Sequence, residues 1–328
     1  MFKNNKRGLI DVVIYLTVFI IILLTTLKLP FYIDIPGGII DIGDRININE
    51  NIYSGSLNMT YVRSINATPI TYLFANFKPN WDVKRKSEEN GTSTEKEAEF
   101  RDEIGKNSSE DCAIITSFNY SNKKYTINDK KIYVTYILKE AKTNLKVGDV
   151  IKKIDNFDIN SKNDIKEYIN SKKENDKVSI TVMNNNKEYN REAKIIKIDN
   201  KLYIGVVFDI DYDLTYSPII DFNFKENEKG PSGGLMLAIS IYSKINNIDI
   251  THNRKISGTG TIDEYGNVGE IGGVKYKLAG AVKNKMDIFL VPNGDNYKEA
   301  IKEKEKNKYN IKIYGVDTFD EALKKLEE

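Results

Sequence analysis

Ser232 stands in the run Lys229-Gly230-Pro231-Ser232-Gly233-Gly234, and 43 residues later Lys275 closes the run Gly272-Gly273-Val274-Lys275. A serine hydroxyl is a poor nucleophile at neutral pH and needs a base within hydrogen-bond reach. Lysine can be that base if it is neutral. Its ordinary pKa, near ~10.4, must then fall by several units, which burial achieves because desolvation penalises the ammonium form. The glycine-flanked pair therefore predicts attack on an acyl group, with peptide-bond hydrolysis as the first reading. Pro231 suits a first helical turn, while Gly230 and Gly233 let a substrate backbone approach closely. Free N–H groups at the helix start are placed to form an oxyanion hole. Lys275 leads into Leu278, Ala279 and Val282, which predicts that its helix carries it into the core and turns Lys277 and Lys283 to other faces. Taken singly, each segment also reads as a turn, one with a capping serine and one with a surface lysine.

The rest of the composition narrows the chemistry. Lys plus Arg number 49 against 47 Asp plus Glu, without the basic excess that phosphate contacts demand, so no nucleic-acid partner is expected. One histidine and one cysteine cannot supply a zinc cluster, and no metal or other cofactor is expected. A Ser-His-Asp triad would need His252, which lies in the polar, turn-like stretch Thr251-His252-Asn253-Arg254. No Gly-x-x-x-x-Gly-Lys-Ser/Thr phosphate loop occurs, so no nucleotide partner is expected either.

Residues 9–29 form an apolar run long enough to span a bilayer, preceded by Lys3, Lys6 and Arg7. The excess of basic residues before the run predicts a cytoplasmic tail, 1–8, and a single-pass anchor with everything after Pro30 outside the cytoplasmic membrane. A cleaved signal peptide is the rival, but Thr25-Thr26-Leu27-Lys28-Leu29-Pro30 offers no small-x-small cleavage site.

Beyond the anchor the chain divides into three stretches. Residues 30–111 read as a β-rich segment, with strands over 31–42 and 53–62. A charged stretch from Lys84 to Asp111, containing Glu88, Glu89, Glu95, Glu97 and Glu99, then reads as a mobile loop leading into a solvated helix, with Ala113 to Phe118 apolar enough to dock such a helix on a core. Residues 112–199 form a β/α unit with strands at Ile132–Leu138 and Val178–Val182 and a helix begun by Ser161, with Asp164 in the reciprocal capping position. Residues 200–328 alternate strands, Lys255–Ile262 and Ile288–Val291, with helices at Leu235–Ile245, Val274–Lys283 and Thr318–Leu326, the last capped by Asp317. The fold class expected is therefore α/β, an N-terminal transmembrane helix followed by a β/α domain and an α/β domain carrying Ser232 and Lys275.

Two resemblances join these observations. The order of strand, Leu145-Lys146-Val147-Gly148-Asp149-Val150-Ile151, helix and strand resembles a PDZ domain of the bacterial protease-associated kind. That implies an extended peptide or protein partner bound by β-augmentation. The loop before its first strand lacks a clean carboxylate cradle. Gly230-Pro231-Ser232-Gly233-Gly234, Gly258-Thr259-Gly260-Thr261-Ile262 and Gly269-Glu270-Ile271-Gly272-Gly273-Val274-Lys275-Tyr276-Lys277 resemble the proteolytic domain of the Lon family. Ile288-Phe289-Leu290-Val291-Pro292 and Phe319-Asp320-Glu321-Ala322-Leu323 continue the match. The resemblance implies Ser232 as nucleophile, Lys275 as general base and Thr259 as a hydroxyl orienting the lysine, with Gly230 and Gly233 supporting; Thr261 and Ser257 are close enough to exchange roles with Thr259. Alanine is more usual in the family at position 233.

Anchor, PDZ unit and Lon-like domain together resemble the membrane-anchored, PDZ-containing Lon-like peptidases of Gram-positive bacteria. In that group the PDZ unit is inserted between the opening strands and the catalytic core. The expectation is an ATP-independent serine endopeptidase acting on exported peptides or surface proteins; oligomerisation stays open. The alternative class is a non-catalytic surface scaffold that binds partners through the PDZ unit.

Overall fold

The computed structural model describes residues 3–48, 52–86, 94–226 and 228–328. Met1, Glu88 and Glu89 lie outside them. The first helix, Lys3–Thr26, begins inside the stretch expected as a tail. Its window Gly8–Thr26 has a mean hydropathy of 2.6 and none of it is buried against the protein, the length and composition of a membrane span or a signal sequence.

The first sheet is mixed and six-stranded, in the order Lys312–Val316, Ile288–Pro292, Lys255–Gly258, Ser56–Asn66, Phe31–Asp41 and Asp82–Arg85. The four strands from Lys312–Val316 to Ser56–Asn66 run parallel to their neighbours, and the last two pairings are antiparallel. Phe31–Asp41 is one strand whose register shifts between Pro36 and Ile39. A bulge there accommodates Pro-Gly-Gly, since proline cannot donate to a ladder. The expected strand 255–262 is split into Lys255–Gly258 and Thr261–Ile262, with Thr259 and Gly260 at the break.

Helices Gly234–Asn246, Val274–Lys283, Asp295–Asn307 and Phe319–Glu327 cover the sheet. Thr318, not Asp317, caps the last one, accepting from the Glu321 N–H at 3.2 Å. The hydroxyl one residue later sits at the position where the backbone turns helical.

A second sheet carries the other unit, with Val206–Tyr216 at one edge beside Tyr125–Ile137, followed by Val150–Ile154, Lys177–Asn184 and Lys187–Lys194. The helix Lys162–Asn170 has the capping box formed by Ser161 and Asp164. Because Val206–Tyr216 pairs along the length of Tyr125–Ile137, this sheet extends past the boundary expected at 199.

Between the two units runs the helix Glu95–Tyr120, capped by Thr94 and Glu97. Its part up to Asp111 was expected to be solvated, with Ala113 to Phe118 docking it on a core. The docking begins earlier than expected, with Ile104 and Cys112 buried as well as Ile114, Ile115 and Phe118, because the helix packs between the helix Gly234–Asn246 and the strand Val206–Tyr216.

Candidate active site

Ser232 lies in a single 3-10 turn, Pro231–Gly233, that runs straight into the helix Gly234–Asn246. Gly230 enters the turn at φ 99°, a left-handed conformation that favours glycine. Gly233 is packed so closely that a Cβ there would sit 2.8 Å from the Met59 sulfur, so an alanine at this position requires the flexible methionine to shift.

The turn is held from both sides. The Ser109 hydroxyl, on the long helix, donates to the Pro231 carbonyl at 3.1 Å. The Ser232 carbonyl accepts from the Gly260 N–H at 2.8 Å and from the Thr259 hydroxyl at 3.0 Å. Thr259 is wholly buried, and its own N–H donates to the Leu290 carbonyl in the neighbouring strand. The strand ends at Gly258, and Thr259 just beyond it keeps one bond to the neighbouring strand while its hydroxyl reaches the Ser232 backbone. Of the two hydroxyls expected to be able to exchange roles with it, Ser257 donates to the Ile288 carbonyl instead, and Thr261 lies beyond the break in the next strand.

The lysine that reaches this point is Lys277. Its Nζ donates to Thr259 Oγ1 at 3.0 Å, and its residue surface is 3% exposed. Burial alone pushes its amine down to about 7. Lys275, the lysine expected from sequence, lies elsewhere. Its Nζ is 2.6 Å from Asp82 Oδ2 on the edge strand, and about a third of its side chain is exposed. Desolvation raises the Asp82 carboxyl, but the hydrogen bonds from Lys275 and Tyr276 outweigh it and hold the group below its ordinary value.

The physical reason for the exchange is helical geometry. Successive residues turn by about 100°, so positions 275 and 277 sit about 200° apart. Val274, Leu278 and Ala281 are the fully buried stripe of this helix, and position 277 falls on it while 275 does not. That i, i+4, i+7 stripe was the available signal.

Ser232 and Gly233 line a cleft of 440 Å³ together with Met59, Thr60 and Tyr61 of the central strand and Glu110 of the long helix. Ser56–Met59 pairs with Lys255–Gly258, and the second strand ends there, so the central strand continues past its partner beside the cleft. Among the described residues no group of His, Cys, Asp and Glu could hold a metal ion. His252 is exposed in a turn at φ 47°.

Comparison with known proteins agrees with this architecture. Residues 226–327 match the Lon protease (S16) C-terminal proteolytic domain, and residues 117–195 match the PDZ domain. Lon protease of Malacoplasma penetrans is 37% identical over 98 residues, covering 30% of this chain and 12% of that protein. Lon protease of Mesomycoplasma hyopneumoniae is 32% identical over 117 residues, covering 36% and 13%. The chain thus spans about an eighth of the length of these curated relatives. The PDZ domain of an SdrC-like protein from Listeria monocytogenes is 27% identical over 25% of this chain and 92% of that one, with a TM-score of 0.23. The chain carries a Lon-type proteolytic domain and a PDZ domain.

Proposed function

We propose that the protein is an ATP-independent serine endopeptidase whose dyad is Ser232 and Lys277, with Thr259 orienting the lysine. The observation that carries this reading is the buried Lys277 amine on the Thr259 hydroxyl, which itself donates to the Ser232 backbone. Thr259 offers Lys277 only a lone pair, since its proton is engaged by the Ser232 carbonyl. The neutral amine's own lone pair is therefore left for a proton. Lys277 takes that proton from Ser232 Oγ as the oxygen attacks the peptide carbonyl, and returns it to the leaving amine. N–H groups of the Pro231–Gly233 turn, with Gly230 and Gly233 keeping side chains out of the way, stabilise the oxyanion. Water then hydrolyses the acyl-enzyme with the same lysine as base. Lys275 has no part in this chemistry.

Extended peptide is the substrate form that fits. The outer edge of Val206–Tyr216 around Asp209, beside the helix Lys162–Asn170 and before the point where Asp111 takes the Tyr212 N–H, offers β-augmentation, and the same strand leads on towards Ser232. A 310 Å³ pocket lined by Lys162, Asp209 and Ile210 on one side and by Ser109, Pro231 and Tyr265 on the other supports communication between the units. The apolar window Gly8–Thr26 of the first helix, following Lys3, Lys6 and Arg7, would anchor the chain with both domains outside the cytoplasmic membrane, facing exported peptides or surface proteins.

The deciding experiment is cleavage of an unstructured peptide by wild type and by Ser232→Ala, Lys277→Met and Lys275→Met. Loss in the first two with retention in the third is expected. Full activity in Lys277→Met would overturn the dyad. For topology, protease added to intact cells should release both domains, and complete protection would reverse the orientation.

A further inference from the structure

The first helix is fastened to the catalytic sheet with no free linker between them. The helix ends at Thr26 and the strand begins at Phe31. Within that step the Leu29 N–H donates to the Ala67 carbonyl at 2.8 Å, and the Lys86 N–H to the Pro30 carbonyl at 3.2 Å. Leu29 also packs with Ile33, Ala67 and Ala75 in a small apolar cluster.

A short helix, Pro69–Ala75, lies beside this junction and touches the first helix. Thr68 and Thr71 cap it reciprocally, so its orientation is set. Its inner face places Ala75 in the cluster and Tyr72 against Phe31, ring centroids 5.2 Å apart. Its other face leaves Leu73 60%, Phe74 53% and, just beyond the helix, Phe77 84% exposed. Single exposed apolar side chains are ordinary, but a contiguous group next to a point of membrane entry marks a contact surface. Basic residues border it. Lys28 and Lys78 flank the two segments in sequence, and the pairing of Phe31 with Arg85 brings Arg85 and Lys86 to the same end of the sheet. Aromatic side chains with a fringe of Lys and Arg are the chemistry of a bilayer interface.

We propose that Leu73, Phe74 and Phe77 enter the headgroup and acyl boundary of the bilayer crossed by the first helix, so that the catalytic domain lies on the lipid instead of swinging above it. The inference rests on the spanning reading of that helix. Lipid is the occupant because the patch continues from a helix whose apolar window has no side chain buried against protein. One consequence concerns substrates. Thr60 lines the cleft and Ala67 sits at the junction, on one continuous stretch of chain. Seven residues at about 3.3 Å each keep the cleft within roughly 23 Å of the lipid along that strand. That reach suits an extended segment of a membrane-tethered chain, cut a few residues outside the bilayer.

The test uses the full chain, with Cys112→Ala, in nanodiscs of phosphatidylcholine and phosphatidylglycerol. A nitroxide is placed in turn at Val18→Cys, Phe74→Cys, Phe77→Cys and Tyr265→Cys, and its collisions with oxygen are compared with those with a water-soluble nickel chelate. Labels at 74 and 77 are expected to follow 18, with an oxygen-to-chelate ratio several-fold above that at 265. A lipid-like label at 18 with water-like labels at 74 and 77 overturns the docking while leaving the span intact. A water-like label at 18 overturns the span and the docking together. In the same nanodiscs, Phe74→Ser with Phe77→Ser should lower cleavage of a membrane-tethered peptide several-fold and leave a soluble peptide's turnover unchanged; equal turnover of the tethered peptide by variant and wild type also counts against the docking.

Discussion

The PDZ unit and the catalytic unit each bury an ionisable side chain, and they treat it in opposite ways. Asp149, wholly enclosed at the foot of the strand Val150–Ile154, accepts from the Lys146 N–H at 2.9 Å, Asn184 Nδ2 at 2.7 Å and Arg191 Nε at 3.0 Å. Lys277 is nearly as enclosed, yet among the described residues no acid lies within ion-pair distance of it, and a hydroxyl is the partner of its amine. A buried charge that is matched holds a fold in register, whereas one left unmatched gives up its charge. The second arrangement is costly to stability and useful to chemistry, which is why unmatched burial points to a working site.

The contrast breaks first at the proposed dyad. Ser232→Ala and Lys277→Met should each lower kcat/KM for peptide cleavage by on the order of 10⁴-fold. The melting temperature of Lys277→Met should not fall, since the change removes an unmatched group from the core. The same group sets the pH response. Below about 7 the Lys277 amine is protonated and cannot act as base, so kcat/KM should rise with pH through about 7 and then level. Folding follows the same sign: between about 7 and the unfolded lysine's ~10.4 the unfolded chain holds the extra proton, so stability from this residue should increase with pH across that window. A flat rate profile from pH 5 to 9 would remove Lys277 from the role of base.

Arg191→Met tests the matched charge. Leaving Asp149 enclosed without its guanidinium should destabilise the PDZ unit by about 3 kcal/mol, measured by urea unfolding. Thr259→Val keeps the shape of the site and removes the hydroxyl between lysine and nucleophile. A loss on the order of tenfold in kcat is expected. Because Thr259 accepts from the charged amine, the acidic limb of the rate profile should also move to lower pH. Lys275→Met should do least, changing kcat/KM by less than about twofold and stability by at most ~1 kcal/mol, because the ion pair with Asp82 is partly solvated. A large loss in that variant would reopen the choice between the two lysines.

Much of this was readable along the chain because it depends on near neighbours. Apolar length marks the first helix, the Ser161 and Asp164 pair marks a helix start, and Gly-Pro-Ser-Gly-Gly marks the turn that presents Ser232. The middle of the long helix, from Ile104 to Asp111, was misjudged for a reason of the same kind. The first turns of the helix, with Glu95, Glu97 and Glu99, are polar, while the burial of Ile104 to Phe118 comes from two elements distant in sequence.

By itself, then, the sequence determined that there is a glycine-rich turn carrying Ser232, a glycine-led helix bearing lysines, and a threonine between them, while the strand break at that threonine came from the fold. Only the tertiary structure decided which lysine faces inward. Residues 275 and 277 share a helix, a charge and a reach, and point about 200° apart. The sheet beneath Val274, Leu278 and Ala281 assigns one to the core, where burial lowers its proton affinity, and Asp82 on the edge strand takes the other.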